Sequence, residues 1–334
     1  MDKRQLGAQG PEISAIGIGA MSFSNFYGAT DEMRSHAILS AALDEGVTHI
    51  DTANVYGMGV SETVIGTFLA KQGKRRNDLF SIASKAGIAR RKELGERYFD
   101  NSPAYLEAEL DNTLARLGVD EIDLYYIHRR DPAIPIEEVS YTLASFVKAG
   151  KIKSIGFSEI APTSLARANS VHPVAAVQSE YSLSVRSPEM GLVQGTRKLG
   201  AALVAFSPVG RSLLTDRPHS EECIADMVWM RTNPRFIEPN LSANIDATIG
   251  FRALAADMGT SAAALAIAWL LHRDDHIIPI PGTRSLAHFK ELCAGTKLRL
   301  SAEDMVRIET ILPIGWAHGD RYSDDQWVGP ERFC

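Results

Sequence analysis

A short run of strand-favouring residues followed by a helix-like run recurs eight times along the 334-residue chain, and this alternation limits the fold more than any other feature. The strand-like runs cover 13–19, 47–51, 80–84, 122–127, 152–158, 174–178, 201–206 and 277–280. Capping residues mark the helices between them. Thr30 is the expected start of the first and Gly46 its end, Ser61 caps the next, and Ser102-Pro103 opens a third that Gly118 closes. Further helices are expected from Pro135 to 149, over 162–170 and 190–199, near 245–258 and 261–272, over 285–294, and from Ser301 to 311.

Strands that alternate with helices over an undivided chain predict a (β/α)8 barrel occupying residues 1–334 as one domain, with the punctuated stretch 1–14 forming a short hairpin ahead of it. An open doubly wound sheet is the competing architecture. Gly17-x-Gly19-x-x-Ser22 superficially matches the start of a dinucleotide fingerprint, but the third glycine is missing and 23–28 reads as a loop where a helix should open. Residues 207–244 carry Trp229, Met230 and Phe236 without periodicity, and a structureless segment of that length suggests a lid over a bound molecule.

Composition removes several function classes. A net charge of −6 and a pI near 5.9 argue against a nucleic-acid partner. No apolar run approaches the length of a membrane span, and the start Met1-Asp2-Lys3-Arg4 lacks a secretory core, so a cytoplasmic protein with no membrane partner is expected. Cys223, Cys293 and Cys334 are too few and too scattered for a disulfide framework, and no HExxH is present, so no metal is expected.

Three strand-like runs finish in an ionisable residue: Asp51, Lys85 and His128. Parallel strands in a closed barrel bring those ends to one face, and Tyr56 lies in the loop just beyond Asp51. Together they make a proton-donor system. A lysine ammonium beside a tyrosine favours the phenolate and should lower the phenol's pKa, an aspartate keeps that lysine charged, and a histidine orients a carbonyl oxygen. Two other chemistries use the same strand mouths: a Schiff base on Lys85, or a glycosidase-like carboxylate pair from Glu159 and Glu180.

The run Asp51-Thr52-Ala53-x-x-Tyr56-Gly57, Lys85 after the third strand, and Tyr125-Tyr126-Ile127-His128 resemble the catalytic tetrad of the aldo-keto reductases. Matching runs follow in order: 155–158, 178–182, 205–211 and 280–284. The resemblance implies an NADPH-dependent reductase of aldehydes or ketones in a barrel without a separate nucleotide domain. Tyr56 would be the general acid, Asp51 and Lys85 its tuning pair, and His128 the carbonyl-orienting group. Ser158 and Gln178 would hold the nicotinamide amide beside Asp51 and Met21, and Phe206 would stack on the ring. Ser207, Pro208, Val209, Gly210 and Ser212 would strap the pyrophosphate, while Gly282, Thr283, Arg284 and His288 would take the adenosine phosphate, with Glu291 near the adenine. Three positions depart from the family pattern: Glu159 where asparagine is common, Phe206 where tyrosine is common, and Leu292. Some relatives keep the barrel as sensors or channel subunits, which leaves a non-catalytic role as an alternative. The expected partner is a small carbonyl compound whose identity, like the oligomeric state and preferred reaction direction, the residues do not specify.

Overall fold

The computed structural model describes residues 1–73, 78–90, 96–227, 229–332 and 334; residues 91–95 of the arginine-rich insertion and residue 228 of the long segment lie outside these. An antiparallel hairpin of β1 (Lys3–Gln5) and β2 (Glu12–Ser14) leads the chain, as expected. It closes the floor of a barrel. Leu6 and Ile13 pack with inward residues Ala83, Leu124, Tyr126, Ala176, Val204 and Ile278.

The barrel's first strand is only β3 (Ile18–Gly19), because Ile13 belongs to the hairpin. It is followed by α1 (Glu32–Glu45), β4 (His49–Asp51), α2 (Val60–Ala70) and β5 (Ser81–Ala86). The insertion forms a second antiparallel hairpin, β6 (Ile88–Arg90) with β7 (Arg97–Phe99). Then come α3 (Pro103–Leu117), β8 (Ile122–Ile127), α4 (Ile136–Lys148), β9 (Ile152–Ser158), α5 (Pro162–Val171), β10 (Val174–Glu180), α6 (Leu192–Leu199) and β11 (Ala202–Phe206). Eight parallel strands make one sheet that begins at β3 and ends at β12 (Ile277–Pro279). The ends meet: Gly17 N–H donates to Pro279 O at 2.9 Å and Gly19 N–H to Pro281 O at 3.0 Å, closing a (β/α)8 barrel.

Glycine permits that closure. A Cβ on Gly19 would lie 2.7 Å from Ile280 O, and one on Gly17 would lie 2.7 Å from His49 Cδ2. The two glycines of the apparent fingerprint therefore serve strand contact, and a single 3-10 turn over Ala20–Ser24 follows instead of an α-helix. Two caps differ from expectation. The Asp31 carboxylate, not Thr30, caps α1 by accepting from Arg34 N–H, and α2 starts after Gly59. Ser61 is drawn inward, where its hydroxyl donates to Ala20 O at 2.8 Å and meets Thr52 Oγ1 at 2.9 Å.

Residues 207–244 are not structureless. They hold short 3-10 turns, α7 (Glu221–Ala225) and the first half of α8 (Asn240–Ala247), and Leu213, Ile224, Met227, Met230, Phe236 and Leu241 form a core of their own. The chain continues through α9 (Ile249–Asp257), α10 (Ala262–Arg273), β12, α11 (Leu286–Ala294) and α12 (Ala302–Ile311), whose Ser301 and Asp304 form the capping box. Among the described residues no single helix is long and apolar enough to cross a membrane.

Candidate active site

The C-terminal ends of β4, β5 and β8 bring Asp51, Lys85 and His128 together, and the turn after β4 adds Tyr56. Lys85 is fully buried and its ammonium is ion-paired to Asp51 Oδ1, with a further hydrogen bond to Thr52 O at 2.8 Å. Gln178 Nε2 donates to the other Asp51 oxygen at 2.7 Å. The lysine thereby faces Tyr56 in one orientation, its nitrogen 5.2 Å from the ring centroid. The Tyr56 and His128 rings meet edge to face, with centroids 5.6 Å apart and planes at 85°.

Protonation follows from this packing. Burial pushes the His128 imidazole well below its usual range, and Arg129, Lys85 and Arg97 push it further, so the ring is neutral. Its Nδ1 is buried without a partner among the described residues. Burial holds the Lys85 ammonium below its usual value, with Asp51 opposing that shift. Part of Tyr56 remains accessible, yet the groups packed around it desolvate the phenol and raise its pKa, Asp51 raises it further, and only Arg129 opposes them. This corrects the expectation of an acidified phenol. With no other charge in place, Lys85 lies over the ring with its field offset by Asp51, and Tyr56 keeps its proton.

Tyr56, His128 and Asp51 line a cavity of about 800 Å³ at the barrel mouth, within the size range of small-ligand sites. Met21, Ser158, Gln178 and Phe206 border the same space, as do Ser207, Pro208, Val209 and Ser212 on one wall. Gly282, Thr283, Arg284, His288 and Glu291 complete it, with Leu292 beside them. Gly210 does not line it. That glycine is buried at φ +58° and turns the 207–212 strap, in which Ser207, Arg211 and Ser212 also adopt left-handed backbone. Strained backbone concentrated in one segment is typical of a ligand clamp. Met21, Tyr27 and Trp229 line the cavity as well, whereas Phe23 is in the core.

The carboxylate pair has another use. Glu180 Oε2 accepts from Arg211 Nη2 at 2.6 Å, and Glu159 Oε2 accepts from Arg321 Nη2 at 2.7 Å. Both carboxylates are almost fully buried and committed to guanidinium groups, which rules out the glycosidase arrangement. Sequence reading passes over Arg129, Arg211, Arg321, Tyr322 and Gln326. Arg211 lies inside a motif run and Arg129 directly follows one; the others have no local pattern, since the tail that carries them returns to β9 and β10 from 141 or more residues away.

The family model described as the aldo/keto reductase family matches residues 15–313. The chain is 36% identical over 313 residues to "Aldo-keto reductase yakc [NADP(+)]" of Schizosaccharomyces pombe, covering 93% of this chain and 92% of that protein. It is 34% identical over 319 residues to "Probable aldo-keto reductase 1" of Glycine max, covering 95% of this chain and 91% of that protein. Among solved structures it resembles the glycerol dehydrogenase AKR11B4 from Gluconobacter oxydans, at a TM-score of 0.81 and 27% identity, covering 93% of this chain and 95% of that one. With the barrel, the strand-end cluster and the family match in agreement over the same residues, this chain belongs to the aldo/keto reductase family.

Proposed function

We propose that the protein reduces the carbonyl group of an aldehyde or ketone with NADPH. The observation that carries this reading is the meeting of Tyr56, His128 and Asp51, itself ion-paired to the buried Lys85, in one cavity with Ser158, Gln178, Phe206 and the 282–285 loop. The wall chemistry fits a dinucleotide. Amide and hydroxyl groups stand near the proton-donor cluster, Phe206 offers a flat apolar face, and Arg284 with the α11 N-terminus offers a phosphate site. The yeast relative's name carries NADP(+), which agrees.

When bound, NADPH would supply a hydride to the carbonyl carbon. The chain's own residues would handle the oxygen. Tyr56 keeps its phenolic proton and gives it to the carbonyl oxygen as negative charge develops there; the Lys85 ammonium then stabilises the phenolate left behind. Asp51 holds the lysine charged and aimed, and Gln178 fixes Asp51 from its far side. Neutral His128 donates a hydrogen bond to the carbonyl without competing for the proton. A Schiff-base role for Lys85 is disfavoured because its nitrogen is buried and ion-paired.

Tyr56→Phe tests the reading directly. The variant should bind NADPH as the parent does, and its turnover of a reducible aldehyde, followed by loss of reduced-nicotinamide absorbance, should fall by about 10² or more. Near-normal turnover would remove Tyr56 from the role. A parent protein that binds NADPH but consumes it with no carbonyl compound would indicate a sensor or subunit instead.

A further inference from the structure

We propose that the substrate side of this cavity recognises a carboxylate, so that the preferred carbonyl compound is an aldehyde or ketone bearing an anionic carboxylate away from the reacting carbon. The proposal rests on the reductase reading and specifies its substrate class. Its basis is an excess of guanidinium groups where the reacting carbonyl would lie. Arg129 directly follows His128 in sequence, is half-buried, and lines the cavity; Arg97 and Arg90 reach the same space from the β6–β7 hairpin.

Charge counting around the barrel mouth singles out Arg129 and Arg97; Glu159 acts on Arg129 through space but is ion-paired to Arg321. Asp51 and Lys85 cancel, and Glu159 and Glu180 cancel Arg321 and Arg211. Among the described residues neither Arg129 nor Arg97 has a carboxylate within ion-pair distance. Among the described residues Arg129 donates from Nη1, to His128 O at 2.6 Å and Ser158 Oγ at 3.0 Å. Arg97 donates from Nη2 to two carbonyl oxygens, Asp325 O at 2.8 Å and Val328 O at 3.2 Å. The Asp325 side chain is close enough to act on Arg97 through space but is exposed.

The hairpin register reinforces the point. Arg90 and Arg97 stand directly opposite one another across β6 and β7, an arrangement that costs stability when both are cationic. Burial and repulsion from Arg129 and Arg90 already push the Arg97 guanidinium down. An anion between Arg97 and Arg129 relieves both effects. A carboxylate suits planar guanidinium forks, which can grip it through paired hydrogen bonds. Phe26, Tyr27, Trp229 and Tyr322 line the same cavity and provide an apolar body for the compound to pass between.

The test compares 4-carboxybenzaldehyde with 4-methylbenzaldehyde, two flat aldehydes that differ chiefly in charge. The parent protein should use the carboxylate with a kcat/KM about tenfold or more higher, mainly through KM, and the preference should shrink as salt is added. Arg97→Gln and Arg129→Gln should each remove most of that preference, with the ratio of the two substrates as the readout so that a general loss of turnover cancels. Equal use of both aldehydes by the parent, or an intact ratio in both variants, would overturn the proposal. Should neither aldehyde consume NADPH, the reductase reading falls and the subsite is decided by binding. Benzoate should then quench the emission of Trp229, at least tenfold more weakly in each variant, and absent or unaltered benzoate binding would overturn it.

Discussion

Arg284 shows how one side chain is prepared for a ligand. Its Nη1 donates to Ala29 O at 3.1 Å, and it lies so close to Gly28 that a Cβ there would approach Nη1 to 2.7 Å. Gly28 at φ +101° lets the backbone fold under the guanidinium, which is propped beside Thr283 and Ser285 at the start of α11. This geometry fits the 2′-phosphate that distinguishes NADPH from NADH. A charge-assisted contact contributes roughly 1.5 to 3 kcal/mol, so Arg284→Ala should lower the preference for NADPH over NADH by about 10 to 150-fold in kcat/KM. Equal use of both cofactors by the parent, or an unchanged ratio in the variant, would show that Arg284 does not read that phosphate. Asp51, Lys85 and His128 were legible from sequence because each ends a strand-like run, and a parallel barrel leaves such residues one place to go. The protonation of Tyr56 was not legible, because it depends on desolvation and on a field that Asp51 offsets, and both arise only on packing.

At the scale of elements, the barrel closes through its shortest strand. β3 contributes two residues, and the join to β12 and its following loop runs through Gly17 and Gly19. Gly19→Ala would set a methyl group against Ile280 O, which is backbone and has little room to yield. Overpacking of this kind typically costs about 1 to 3 kcal/mol, and the denaturation midpoint should fall accordingly. A variant as stable as its parent would mean that the seam opens freely. The alternation of elements survived the move from sequence to structure because it depends on local pattern alone. What failed was finer: α1 took Asp31 rather than Thr30, and Ser61 turned inward to Ala20 and Thr52. The 207–244 segment illustrates the limit, since the core that Leu213 and Phe236 build there comes from residues with no repeating spacing.

The whole molecule is held at its mouth by the tail beyond the family match. Arg321 spans two strands, donating to Glu159 on the end of β9 and to Glu180 on the end of β10, while Arg211 from the strap meets Glu180 from the other side. Further along, Glu331 accepts from Arg130 at 2.6 Å and from Ala161 N–H at 2.7 Å. These contacts fix the tail residues Tyr322 and Gln326 in the cavity wall, so tail docking and pocket shape are coupled. The backbone of Glu159 is left-handed at φ +57°. The carboxylate is thus an anchor for the tail. Burial pushes the Glu159 carboxyl up, but Arg321 and Arg129 outweigh it and hold the group below its ordinary value. A depressed carboxylate stabilises the fold above its unfolded pKa and loses that contribution as pH falls through the lower folded value. Arg321→Met should therefore cost roughly 3 to 5 kcal/mol near neutral pH, because it leaves Glu159 buried without its main counter-charge. Adding Glu159→Gln to that variant should restore part of the loss, and relative to the parent the double variant should decline less in stability on acidification from about pH 5 downward. Urea unfolding of the four members of this cycle across pH measures both effects, and strictly additive losses with parallel pH profiles would mean that Arg321 and Glu159 do not act as a pair.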